Sequence, residues 1–99
     1  MAETTLVVTA RPNPEAMDSV KAYLGGVQPL LVEAGGQIVK RLQVQDVMSG
    51  DAPYRMVLVM DFADDGALKA MLRSDAYQAL VPHRDRGFAS MDICLASGM

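Results

Sequence analysis

The stretch Tyr54–Phe62, YRMVLVMDF, constrains the fold more than any other part of the chain. In a strand, alternate side chains point to opposite faces. One set is then Met56, Leu58, Met60 and Phe62, wholly apolar. The other is Arg55, Val57, Val59 and Asp61, apolar in the middle and charged at both ends. A strand with one solvated face reads as clean alternation; here both faces want cover. In a chain of 99 residues, helices can cover one face and a second copy of the same sheet the other.

That length suits a single domain, residues 1–99, burying roughly 60–65% of its unfolded surface. Apolar content of 51% and charged content of 21% are those of a globular protein. The net charge is −3 and no basic patch stands out, which sets nucleic acid aside as a partner. The apolar runs fall short of the ~20 residues a membrane span needs. The start, MAETTLVV, lacks the features of a signal peptide. The single Cys94 rules out an intrachain disulfide, fits a reducing cytoplasm and reads as a small core residue.

Thr4–Ala10 reads as a strand, with Leu6, Val8 and Ala10 on one face and Thr5, Val7 and Thr9 on the other. Asn13 and Pro14 form a helix start, one as cap and the other as first helical residue. A helical stripe follows through Met17, Val20, Leu24, Val27, Leu31 and Ala34. Gly25, Gly26 and Pro29 interrupt it, predicting a kinked helix or two short ones in line. Gly35 and Gly36 supply its left-handed cap.

Gln37–Val44 is a second strand, and Asp46–Pro53 carries turn chemistry that joins it to Tyr54–Phe62 as a hairpin. Pattern alone does not rank the two faces of Gln37–Val44; Val39 and Arg41 are assigned to the face opposite the helices. Asp64 or Asp65 caps the next helix, which buries Leu68, Met71 and Leu72. Ser74 caps another, with Tyr77, Leu80, Val81 and Arg84 on one stripe and Pro82 bending or stopping it near Val81. Ser90–Ser97 is the last strand, with Met91, Ile93 and Leu95 opposite Asp92, Cys94 and Ala96. The order is β-α-β-β-α-β, an α+β ferredoxin-like fold with a four-stranded antiparallel sheet. Two sheets closed around each other give a dimeric α/β barrel.

Pro14-Glu15-Ala16, the segment ending in Gly35-Gly36, Arg41, Gly50, Pro53, Arg55, Asp61-Phe62, Ser74, Tyr77-Gln78 and Arg84 together resemble one family. It is a group of short dimeric α/β-barrel proteins catalogued as a domain of unknown function (family thirteen-thirty). They are distant structural relatives of the cofactor-free antibiotic-biosynthesis monooxygenases. SDAYQALVPHR, from Ser74 to Arg84, is the most specific part of the match. The resemblance implies a homodimer, a pocket between sheet and helices, and no required cofactor; it implies no known reaction. Arg41, Asp61, Ser74, Tyr77 and Arg84 are the polar positions that carry over. Asp61 stands where the family usually has Glu, Asp75-Ala76 replaces Pro-Glu, and the first strand lacks the family's frequent tyrosine.

These residues define a candidate site for a small organic metabolite. Arg41 and Arg84 are set to hold an anionic group such as a carboxylate or enolate. Asp61 is the candidate proton acceptor, and a pair with Arg41 on the barrel face is one expectation for it. His83, the lone histidine, is the other candidate acid or base. Tyr77 and Ser74 complete the substrate-binding set. Each has a plainer role beside the functional one: Asp61 and Arg41 as solvated strand ends, Arg84 and His83 as helix-end cations, Ser74 as a cap, Tyr77 as packing. One His and one Cys do not make a metal site. A cofactor-free monooxygenase-like or isomerase-like enzyme is the first reading. The alternative is a non-catalytic, metabolite-binding or accessory homodimer.

Overall fold

The computed structural model describes residues 4–99. Residues 1–3, part of the expected domain span, lie outside the described residues. The chain runs β1 (Thr4–Pro12), a 3-10 turn (Pro14–Ala16), α1 (Met17–Glu33), β2 (Gln37–Gln43) and β3 (Met56–Phe62). It continues through α2 (Asp65–Arg73), α3 (Asp75–Gln78), α4 (Val81–Gly87) and β4 (Phe88–Ala96). The strands pair antiparallel in the order β2-β3-β1-β4, the ferredoxin-like arrangement.

The elements follow from local chemistry. Asn13 accepts from the Glu15 amide, and Pro14 opens the 3-10 turn, where its missing N–H costs nothing. α1 is one helix with Pro29 inside it, not two. The residue four before Pro29, whose carbonyl loses its donor, is Gly25. Just past the α1 C-cap Ala34, Gly35 has a φ of +91° in the left-handed region, and the Gly36 amide donates back to the Leu31 carbonyl at 3.0 Å. Asp64 caps α2 through the Gly66 amide, and Ser74 caps α3 through the Tyr77 amide. The chain breaks after α3 and restarts at Val81, so Pro82 sits in the first turn of α4. The expected interruption near Val81 is present, but Pro82 lies after it, in a first turn, where its ring meets no preceding carbonyl.

The core lies between the sheet and one layer of helices. Leu6, Ala10, Met60, Phe62 and Phe88 from the strands meet Val20, Tyr23, Val27, Leu31, Leu68, Met71 and Tyr77. The buried stripe of α1 runs through Val20, Tyr23, Val27 and Leu31. Met17 stays exposed and Leu24 is half-buried, so Tyr23 takes the place the spacing had given to its neighbour. The close approach of α4 to α1 depends on Gly87, where a Cβ would lie 2.8 Å from the Val20 backbone nitrogen.

Among the described residues no element covers the opposite face of the sheet, and the molecule is a slab only 16 Å deep along its shortest axis. The registers Thr5–Asp61, Val7–Val59 and Thr9–Val57 put these six on that open face, with Asp92 and Cys94 beside them. Cys94 is exposed, so it is not the core residue its composition suggests. β2 corrects a second expectation. A register shift between Ile38 and Lys40 inserts one residue at Val39. Beyond it Lys40 and Leu42 pair with Val59 and Val57, while Arg41 pairs with Leu58. Directly paired residues share a face. Arg41 therefore lies on the helix side, because one inserted residue flips every side chain after it.

Candidate functional site

The bulge decides what the main cleft contains. A cleft of about 450 Å³ opens between α1 and the helix side of the β2–β3 half of the sheet. Val8, Met56, Leu58 and Met60 from the sheet and Leu24, Val27 and Leu31 from α1 give it an apolar lining. Ile38, Arg41 and Gln43 reach it from β2, Gln28 from α1, and Arg55 from the segment entering β3. Arg55 is fixed by its backbone: its N–H donates to the Ala10 carbonyl at 2.9 Å and its carbonyl accepts from Val44 at 2.8 Å. Arg41 and Arg55 are the charged side chains among the described lining residues; no carboxylate and no histidine is among them. The cleft is thus greasy along its length and cationic at the β2–β3 edge.

A second polar group lies behind Phe88. Tyr23 and Tyr77 are both buried, and their hydroxyls share a hydrogen bond at 2.9 Å. The rings meet edge-on at 6.1 Å, and Tyr23 meets Phe88 the same way at 5.6 Å. Arg84 Nη1 donates to the Tyr77 hydroxyl at 3.1 Å, and Arg84 Nε donates to Asp85 Oδ1 at 3.3 Å. Burial is the main cause pushing the Tyr23 hydroxyl far above its ordinary pKa, and the bond with Tyr77 adds to it. For Arg84, burial works against the charged form, but its hydrogen bond to Tyr77 and the attraction of Asp85 outweigh it, so its pKa rises. Arg84 also lines a second pocket of about 440 Å³ against β4, with Asp85, Phe88, Ser90 and Met91. Phe88 and Met91 form a wall common to both pockets.

The remaining candidates lie elsewhere. Asp61 sits on the open face, where it accepts from the Thr5 hydroxyl at 2.8 Å. It therefore shares no face with Arg41, and the two form no ion pair; the bulge at Val39 is the reason. His83 is exposed on α4 and lines neither pocket. Ser74 accepts from the Tyr77 amide and donates to the Met71 carbonyl at 2.6 Å, the geometry of a cap. Of the six candidates, then, the fold joins Tyr77 to Arg84 directly, with Ser74 bonded to the Tyr77 backbone, and separates Arg41, Asp61 and His83. It adds Tyr23, Arg55, Gln28 and Gln43. Tyr23 was discernible as the residue three after Val20 and four before Val27. Arg55 showed as one position of the family resemblance and as the charge opening an apolar strand.

A family model described as a domain of unknown function, DUF1330, matches residues 6–99. The chain belongs to this family. A crystal structure of a protein of unknown function from Rhodopseudomonas palustris is similar, with a TM-score of 0.84 at 17% identity. That match covers 99% of this chain and 83% of the other. A dimeric ferredoxin-like protein of unknown function from Jannaschia sp. CCS1 aligns with a TM-score of 0.72 at 16% identity, over 97% of this chain and 99% of its own. A dimeric protein of unknown function and ferredoxin-like fold from Bacteroides fragilis gives 0.62 at 11% identity, over 99% and 98%. No curated protein matches the chain. These likenesses establish the fold of this DUF1330 member, and no described helix is long and apolar enough to cross a membrane.

Proposed function

We propose that the chain is a homodimer in which each subunit's cleft binds a small organic anion. The observation that carries the binding half is the cleft's division into an apolar lining and a cationic edge of Arg41 and Arg55. Its volume, about 450 Å³, lies in the range of small-molecule sites. An apolar or flat body would lie against Val27, Leu58 and the methionines, whose soft side chains adapt to it. A carboxylate or enolate would meet Arg41 or Arg55, whose guanidinium forks suit such groups. Gln28 and Gln43 offer further hydrogen bonds.

The dimer half rests on the open face. Val7, Val57, Val59 and Leu42 form an apolar patch there that a lone chain leaves to water. A second copy of that face would cover it, and two proteins of similar fold are described as dimeric. Asp61 and Thr5 would then lie within the interface. Binding is favoured over catalysis, because Asp61 and His83 line neither pocket.

Thermal melts in the presence of small carboxylic acids test the binding half. A ligand at ten times its Kd stabilises by about 1.4 kcal/mol, a shift of roughly 5–10 °C for a domain this small. The shift is expected for an acid, to vanish for its neutral amide, and to vanish for both in the Arg41→Met/Arg55→Met variant. Equal shifts by acid and amide would refute the assignment.

A further inference from the structure

We propose that the pocket between α4 and β4 is a second anion site, in which Arg84 takes the carboxylate or phosphate group of a small molecule. The site is separate from the cleft under α1. Three features of Arg84 point to it. The first is its anchor. Nη1 is tied to the Tyr77 hydroxyl at 3.1 Å, and that hydroxyl is fixed by Tyr23 at 2.9 Å inside the core. The guanidinium is thus positioned before any ligand arrives, which lowers the ordering cost of binding.

The second feature is the chemistry of that anchor. A half-buried arginine is commonly matched to a carboxylate; here the buried partner is a tyrosine hydroxyl. Tyr77 orients the charge without cancelling it. Arg84 Nη2 has no hydrogen-bond partner among the described residues. The third is the surroundings. Arg84 lines a pocket of about 440 Å³ with Ser90, which adds a hydroxyl, and with Phe88 and Met91, which exclude water on one side.

Asp85 is the one acid lining this pocket among the described residues. It is two-thirds exposed and meets Arg84 Nε at 3.3 Å, a solvent-screened contact. It acts as a weak internal occupant that an arriving anion displaces. Removing its charge therefore strengthens the site, the reverse of the effect expected if Asp85 only steadies Arg84.

The test follows the Arg84 Nε–Hε resonance by NMR while sodium acetate or inorganic phosphate is added at constant ionic strength. The resonance is expected to move saturably with at least one anion, whereas that of exposed Arg86 does not saturate. Asp85→Asn should lower the half-saturating concentration at least threefold, and Arg41→Met should leave it unchanged. Tighter saturation by phosphate identifies a phosphate ligand; tighter saturation by acetate identifies a carboxylate. An Arg84 response that follows Arg86, or an Asp85→Asn variant that binds no more tightly, overturns the proposal.

Discussion

Removing the Tyr77 hydroxyl should cost much more stability than removing the Tyr23 hydroxyl, although the two share one hydrogen bond. In Tyr23→Phe, the Tyr77 hydroxyl keeps Arg84 Nη1 as its donor. One bond is lost and no buried group is left alone, so the expected cost is about 1 kcal/mol. In Tyr77→Phe, the Tyr23 hydroxyl is left buried without its partner. A stranded buried polar group costs about 1–3 kcal/mol, and Arg84 also loses its anchor. The expected total is about 2–3 kcal/mol. The double variant should cost less than the two singles together, because no hydroxyl then remains to be stranded. Urea unfolding at a fixed protein concentration, with all variants sharing one m-value, measures these differences. A Tyr77→Phe cost no larger than that of Tyr23→Phe, or strict additivity in the double variant, would refute the reasoning.

Other expectations follow from the same geometry. Gly87→Ala should destabilise by about 1–3 kcal/mol in the same urea assay, because its Cβ meets backbone atoms of Ser19 and Val20 that cannot step aside. The raised Tyr23 pKa makes stability fall in alkali. Its neutral form is favoured in the folded state, so the contribution is complete below pH 10 and declines above it as the unfolded chain ionises first. Each unit above pH 10 should remove up to about 1.4 kcal/mol, and Tyr23→Phe should flatten that slope by one proton. Val59→Lys, on the open face, should convert the proposed dimer to monomer in sedimentation equilibrium while leaving the far-ultraviolet circular dichroism unchanged.

The fold was legible in the sequence where local chemistry and periodicity agreed. The alternation of Met56, Leu58, Met60 and Phe62 gave the helix-facing side of β3, and Asn13, Ser74 and Gly35 marked helix ends by cap chemistry alone. The site was less legible, for a physical reason. The bulge at Val39 has no glycine or proline to announce it, yet it moves Arg41 across the sheet and parts it from Asp61. Arg55 shares the cleft with Arg41 only through strand pairing, and pairing is not written in spacing. The link between Tyr77 and Arg84 was within reach, because both lie on one local helical stripe. Its continuation to Tyr23 was not, since the two tyrosines stand 54 residues apart in sequence. The exposure of Cys94 follows from the open sheet face and could not be read from the residue itself.

Native mass spectrometry of the gently purified chain, after dialysis against a mixture of small carboxylic acids, tests the proposed function most directly. The expected species has twice the 10.6 kDa chain mass and carries one acid per subunit. The acid should be absent from the Arg41→Met/Arg55→Met dimer. A monomer at micromolar concentration would contradict the covered sheet face. A dimer that holds the acid equally well without Arg41 and Arg55 would contradict the cationic edge of the cleft as its binding site.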